Sequence, residues 1–272
     1  MSVVETAQDT RGVLTVTLAD EANRNALSTQ LVGELSDALD AADADPGVRV
    51  VVLTNRGRVF CAGADLSERS AGTPGAGPDD RPAAVRRPED LFGRFARSPK
   101  PYVGRIAGHC VAGGMGLAAA MDISIAADDA KFGFTEVRVG VAPAVISVVC
   151  LPKLRPADAR AAFLRATRFP AADAARIGLI NAAVPADRLD DEVAAAVDDL
   201  LAGAPGALAA SKRLIAEVPG MPVDEAFSWT GALSAELFAG DEARAGMRAY
   251  LEKRPAPWVA ALPDGNVPQQ GG

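Results

Sequence analysis

The chain has 272 residues, of which 49% are apolar, 23% charged and only 5% aromatic, the balance of an ordinary globular protein whose core is built from Ala, Val, Leu and Ile. A formal net charge of -7 argues against a nucleic-acid binder or a polybasic membrane-surface protein. One histidine, His109, and three separated cysteines, Cys61, Cys110 and Cys150, offer neither the ligand spacing of a zinc centre nor a disulfide framework, so a reducing, cytoplasmic setting is expected.

The opening MSVVETAQDT lacks the basic-then-apolar pattern of a secretory signal, and no apolar stretch approaches the roughly 20 residues of a membrane span. Val13 to Ala19 alternates as a strand. Ser28 stands as an N-cap before a segment in which Leu31, Leu35, Ala38, Leu39 and Ala42 recur at helical spacing, closed by Pro46 and Gly47. Arg49 to Thr54 is a β-branched run and reads as a strand buried on both faces. Strand, helix and strand over this length predict a crossover with parallel strands.

Residues 67–88 are rich in Gly, Pro and charge with no apolar period, which predicts a surface loop. A helix is expected over Glu89 to Arg97, an extended segment through PKPYVGRIAG, a Gly-rich turn leading into an Ala-rich helix at HCVAGGMGLAAAMD, and a short strand over Ile123 to Ala127. From Pro156 onward the chain reads as almost wholly helical. The expected organisation is an α/β core over residues 1–200 followed by a helical C-terminal region over 201–272.

Two stretches carry candidate chemistry. In FCAGADL (60–66), four small residues after a strand leave the backbone uncovered, so main-chain N–H groups can approach a ligand closely. In GHCVAGGMGL (108–117), Gly113 and Gly114 stand where a helix begins, and first-turn amides have no partner inside the helix. A loop amide and a helix N-terminal amide converging on one point form an oxyanion hole. Neither a Walker loop nor the Rossmann glycine fingerprint is present.

Together with NALS at Asn25 to Ser28 and KFGFTEVRVGVAP at 131–143, these stretches resemble the crotonase superfamily, the enoyl-CoA hydratases and isomerases. The resemblance runs on through ADAARIGLINAAV to LFAGDEARAGMRAYLEKR, covering roughly residues 10–255. It implies an α/β spiral of ββα turns, a C-terminal helical trimerisation region, and trimers or pairs of trimers. It also implies a coenzyme A thioester as substrate, with no separate cofactor and no metal.

Carried over by motif, the resemblance implies that the amides of Ala64 and Gly113 hold the thioester oxygen. Ala62, Asp65 and Leu66 would line the path of the adenine and pantetheine, Arg24 would meet the CoA phosphates, and Phe238 and Lys253 would contact the nucleotide from a neighbouring subunit. Of the two glutamates that the hydratases typically carry, one is present as Glu136. A carboxylate in an apolar cleft has its pKa raised by desolvation, which suits acid–base work. The other position falls on Gly116, leaving Glu68 as a substitute acid to be tested. Gly116 and Ala144 would also free volume for a bulkier acyl group. VGVAPAVIS looks like the members that act on branched glutaconyl-type thioesters.

These features support an enoyl-CoA hydratase first. A Δ3,Δ2-enoyl-CoA isomerase using a single Glu, a branched glutaconyl-type CoA hydratase, a hydrolase on the same scaffold, and a non-catalytic acyl-CoA binder stand as alternatives. Among the remaining residues, His109 is expected to hydrogen-bond locally, the three cysteines to pack as small apolar groups, Asp122 to cap or end its helix, and the acidic DDEVAAAVDDL to present a solvated face.

Overall fold

A computed structural model describes residues 1–71 and 86–260. Among these described residues there are ten strands: β1 (Val4–Gln8), β2 (Val13–Leu18), β3 (Val50–Asn55), β4 (Val59–Cys61), β5 (Tyr102–Ile106), β6 (His109–Val111), β7 (Ile123–Ala127), β8 (Lys131–Gly133), β9 (Phe169–Pro170) and β10 (Ala182–Val184). Twelve α-helices accompany them: α1 (Thr29–Ala44), α2 (Leu66–Ala71), α3 (Pro88–Arg97), α4 (Gly113–Ala120), α5 (Ala144–Cys150), α6 (Pro156–Arg165), α7 (Ala171–Arg176), α8 (Leu189–Ala202), α9 (Pro205–Glu217), α10 (Val223–Ala239), α11 (Asp241–Leu251) and α12 (Pro257–Ala260).

The strands form two sheets, a six-stranded one in the order β1-β2-β3-β5-β7-β10 and a four-stranded one in the order β4-β6-β8-β9. Each turn of the chain gives one strand to the large sheet and the next to the small sheet before a helix returns it, as in β3-β4, β5-β6 and β7-β8. The expected crossover is present, with β2 and β3 parallel in the register Val16↔Leu53. Ser28 caps α1 by accepting from the Leu31 amide at 3.1 Å.

Alternation along β3 explains why the whole strand is buried. Val51 and Leu53 face a core shared with Leu31, Leu35 and Leu39 of α1, whereas Val50 and Val52 face Leu189, Val193, Val197 and Leu201 of α8. Each such fully buried aliphatic side chain stabilises the fold by about 1.5–3 kcal/mol. No single helix among the described residues is long and apolar enough to cross a membrane.

Three expectations are corrected. Residues beyond Pro156 are not wholly helical, because β9 and β10 lie among them. The three-four spacing of ADAARIGLI supports only the six-residue α7, since Gly178 takes φ +88°, and a Cβ there would lie 2.7 Å from the Lys153 carbonyl oxygen. The chain then turns into β10, parallel to β7. At the other end β1 pairs antiparallel with β2, with only Val4 buried, so this edge strand shows no apolar alternation. The start of the expected surface loop is helical, in α2, while the rest of it, 72–85, lies outside the described residues. The helix does end just before Asp122, with Met121 as its C-cap, but the Asp122 side chain does not cap it: its Oδ2 accepts from the Tyr102 amide at 2.7 Å and from Lys212 Nζ at 2.6 Å.

Lys212 ties the C-terminal helices to this core. Its side chain is 9% exposed, and its ammonium also donates to the carbonyls of Phe95 at 2.9 Å and Lys100 at 2.7 Å. Lys212→Met would remove three charge-assisted hydrogen bonds and leave Asp122 without its cation, and hydrogen bonds to charged groups are worth about 1.5–3 kcal/mol. A loss of about 2–3 kcal/mol in denaturant unfolding is the expected result.

Candidate functional site

The small sheet assembles the site because its parallel strands β4, β6 and β8 release their following loops at one edge, where antiparallel β9 begins. After β4, Gly63 adopts φ +88°, and a Cβ there would lie 2.6 Å from Ala112 Cβ and 2.8 Å from the Gly113 nitrogen. After β6, Ala112 takes φ 50° and ψ -126° at the N-cap of α4, a conformation costly for a residue with a side chain. Both distortions bring the two loops into contact: a Cβ on Gly113 would stand 3.6 Å from the Ala64 nitrogen. Ala64 and Gly113 both line the cavity, and the amide of Gly113 is at the first position of α4. Such adjacent donors can hold a developing negative charge on oxygen.

One strand further, Phe134 is fully buried and Glu136 opens a 3-10 turn over Glu136–Val139. Its Oε2 is buried without a hydrogen-bond partner. Burial pushes this carboxyl above the ordinary glutamate range, because a charged carboxylate is penalised where water is excluded. The cavity beside it has a volume of about 800 Å³, and Glu136 is the one acid among the described residues lining it. Leu27, Phe92 and Ile146 make apolar walls, and Ala62, Leu66 and Ala144 also border it.

The reading of Gly116 as free volume is corrected. Gly116 is buried in α4, and a Cβ there would collide with Ile146 Cγ2 and lie 2.9 Å from Phe92 Cε1. The place where a second acid would stand is therefore packed with hydrocarbon. Glu68 does not replace that acid: its Oε2 accepts from the backbone amide and the hydroxyl of Thr29, both at 2.9 Å. It thus satisfies the N-terminus of α1, and it does not line the cavity.

Asp65 stands beside the cavity rather than on its wall, holding the start of α2. It accepts from Ser67 Oγ at 2.6 Å, Asn23 Nδ2 at 2.7 Å and the Ser67 amide at 2.8 Å, and these bonds hold its pKa down at about 2. Arg24 is exposed at φ 55°, with its carbonyl accepting from the Ala62 amide at 3.2 Å. Phe238 (67% exposed) and Lys253 lie on the surface of the C-terminal helical region, away from the cavity wall. His109 Nδ1 accepts from the Lys131 amide at 3.2 Å, the local bond expected of it. Cys61, Cys110 and Cys150 are all buried.

The two cationic residues of the lining, Arg138 and Arg168, were not singled out from the sequence. Arg138 Nε donates to the Ala166 carbonyl at 2.8 Å. Arg168 is placed by the pairing of two very short strands, β8 and β9, which no periodicity in the sequence signals.

Comparison with known proteins agrees with this architecture. Residues 8–261 match the family model for enoyl-CoA hydratase/isomerase. An enoyl-CoA hydratase of Mycobacterium tuberculosis is 34% identical over 260 residues, covering 93% of this chain and 97% of that protein. The crystal structure of an enoyl-CoA hydratase from Mycobacterium smegmatis superposes with a TM-score of 0.88 at 30% identity, covering 95% of this chain and 99% of that one. Pseudomonas aeruginosa AtuE superposes with a TM-score of 0.86 at 31% identity, covering 94% and 99%. The two-sheet α/β spiral, the paired loops at Ala64 and Gly113 and the match over nearly the whole chain agree, and the protein belongs to the enoyl-CoA hydratase/isomerase family of the crotonase superfamily.

Proposed function

We propose that this protein is an enoyl-CoA hydratase that adds water across the double bond of a 2-enoyl-CoA, with coenzyme A entering as part of the substrate. The observation that carries the reading is Glu136, the one carboxylate among the described residues lining the cavity, with a buried, unpartnered oxygen on a wall that also holds Ala64 and Gly113. In this mechanism the two amides receive the thioester oxygen, and the π electrons of C2=C3 move into the enolate. Glu136 takes a proton from water as the water oxygen bonds to C3. It then returns that proton to C2, so one group serves in turn as base and acid. Enolate charge is what the amides stabilise, and losing one such donor typically costs about 3–4 kcal/mol.

A second reading, Δ3,Δ2-enoyl-CoA isomerase, is favoured by the hydrocarbon packed around Gly116, since a proton shift between C2 and C4 needs one carboxylate and no positioned water. Crotonyl-CoA and a 3-enoyl-CoA separate the two. Hydration is expected to remove the enoyl-thioester absorbance of the first, and isomerisation to create it from the second. Silence toward both substrates with intact thioester binding would identify a binder and refute either enzyme. The apolar side chains left exposed on the C-terminal helices, Phe227, Phe238, Tyr250 and Leu251 among them, support self-association as a homotrimer or pair of trimers.

A further inference from the structure

We infer that Asn25 is a positioning residue for the amide of Ala64, acting through the strap of residues 23–27 that grips the loop after β4. The inference rests on the reading above, in which that amide receives the thioester oxygen, and deepens it by naming what aims the amide. Along the loop the strap makes one contact after another. Asn25 Nδ2 donates to the Val59 carbonyl at 2.7 Å and to the Arg56 carbonyl at 3.2 Å. The Arg24 carbonyl accepts from the Ala62 amide at 3.2 Å, and the Leu27 amide donates to the Gly63 carbonyl at 2.7 Å. Asn23 Nδ2 reaches past them to Asp65 Oδ2 at 2.7 Å.

These bonds leave one donor over. The Ala62 amide is taken by Arg24 and the Gly63 amide by Cys61 Sγ at 3.5 Å. Among the described residues no acceptor engages the Ala64 amide, and the parallel bridge between Leu27 and Ala64 fixes that residue at the cavity wall. Leu27 borders the other donor too, since a Cβ on Gly113 would lie 2.9 Å from its Cδ1.

Asn25 holds the strap in this shape. Arg24 and Asn25 both lie in the left-handed region, at φ 55° and 51°, which asparagine enters more readily than most residues. Two such residues in a row persist only where their surroundings fix them. Asn25 is 0% exposed, and its Oδ1 is buried without a partner, so its side chain is held by the two bonds that Nδ2 donates. Both acceptors are carbonyls, which only a donor can satisfy. Removing that donor frees the neighbouring Arg24 carbonyl and Leu27 amide to drift, and the Ala62–Ala64 peptides with them.

Isotope-edited infrared spectroscopy of carbonyl-labelled butyryl-CoA bound to the full-length protein tests this without turnover, because hydrogen bonds to a carbonyl lower its stretching frequency. Wild type is expected to lower that frequency relative to the free thioester. Asn25→Gly accepts the backbone angle but lacks the donor, and is expected to lose part of the shift. Its kcat with crotonyl-CoA should fall about ten- to a hundredfold, the scale of a misplacement of about 1 Å, while butyryl-CoA affinity stays within a few-fold. Asn25→Ser keeps one donor and should fall between the two. It also carries the measurement if the glycine variant does not fold. A variant that melts lower yet keeps the wild-type carbonyl frequency and kcat would overturn the inference and leave Asn25 a structural role alone. No shift in wild type would sink the oxyanion hole, and the role of Asn25 with it. A wild-type shift that is reduced in the variants, without hydration of crotonyl-CoA, upholds the inference and sinks the proposed activity.

Discussion

Glu136→Gln is expected to lower turnover of a 2-enoyl-CoA by about a thousandfold, inside the roughly 10²–10⁴ range of a general acid–base group, while thioester affinity stays within a few-fold. The substitution keeps the shape of the side chain and removes its titration. Because burial raises the Glu136 pKa above the ordinary value of 4.5, the carboxylate that must accept the first proton forms at a higher pH than for an exposed glutamate. The acid limb of kcat/KM is therefore displaced upward, and the residual rate of the Gln variant lacks that limb.

Stability carries the same signature with a definite sign. The folded state binds the Glu136 proton more tightly than the unfolded state does. The stabilisation this provides is fully present below the unfolded pKa and is lost as pH rises through the raised folded value. The Gln variant is accordingly expected to gain stability relative to wild type between those two pKa values, and to hold that gain at neutral pH. Denaturant unfolding at about pH 4 and about pH 8 checks it. Near wild-type turnover in the variant would remove Glu136 from the chemistry.

Part of the candidate site was legible in the sequence on physical grounds: the small residues of FCAGADL and the glycines at 113 and 114 stand where two backbones approach within contact distance. Glu136 came with the family resemblance of KFGFTEVRVGVAP, not from any periodicity. Less was legible wherever the determinant was short or distant. Strands β4, β6 and β8 have three residues each and β9 only two, too few for any period to register. Arg168 depends on that last pairing, and the role of Glu68 depends on reaching Thr29 across 39 positions of chain. The sequence could show that position 116 lacks a side chain, but not that residues 92 and 146 had already taken its place.

That packing makes Gly116→Ala a sharp test. In the interior of a helix such a replacement ordinarily stabilises by about 1 kcal/mol. Here the added methyl would collide with Ile146 Cγ2 and press on Phe92, both buried, and overpacking a core costs about 1–3 kcal/mol. The expected result is therefore a reversal of sign, with Gly116→Ala destabilised in denaturant and thermal unfolding. Ile146→Ala alone should lose about 2–5 kcal/mol through the cavity it opens. The double variant is expected to be more stable than the sum of the two by at least about 1 kcal/mol, the coupling of residues that compete for one space. The same competition governs catalysis. Gly116→Glu should not raise the hydration rate, because its carboxylate has no room unless Ile146 is also reduced to Ala or Gly. A stabilising Gly116→Ala, or additive effects of the pair, would mean that the second-acid place is open, and the preference for a single-carboxylate mechanism would fall with it.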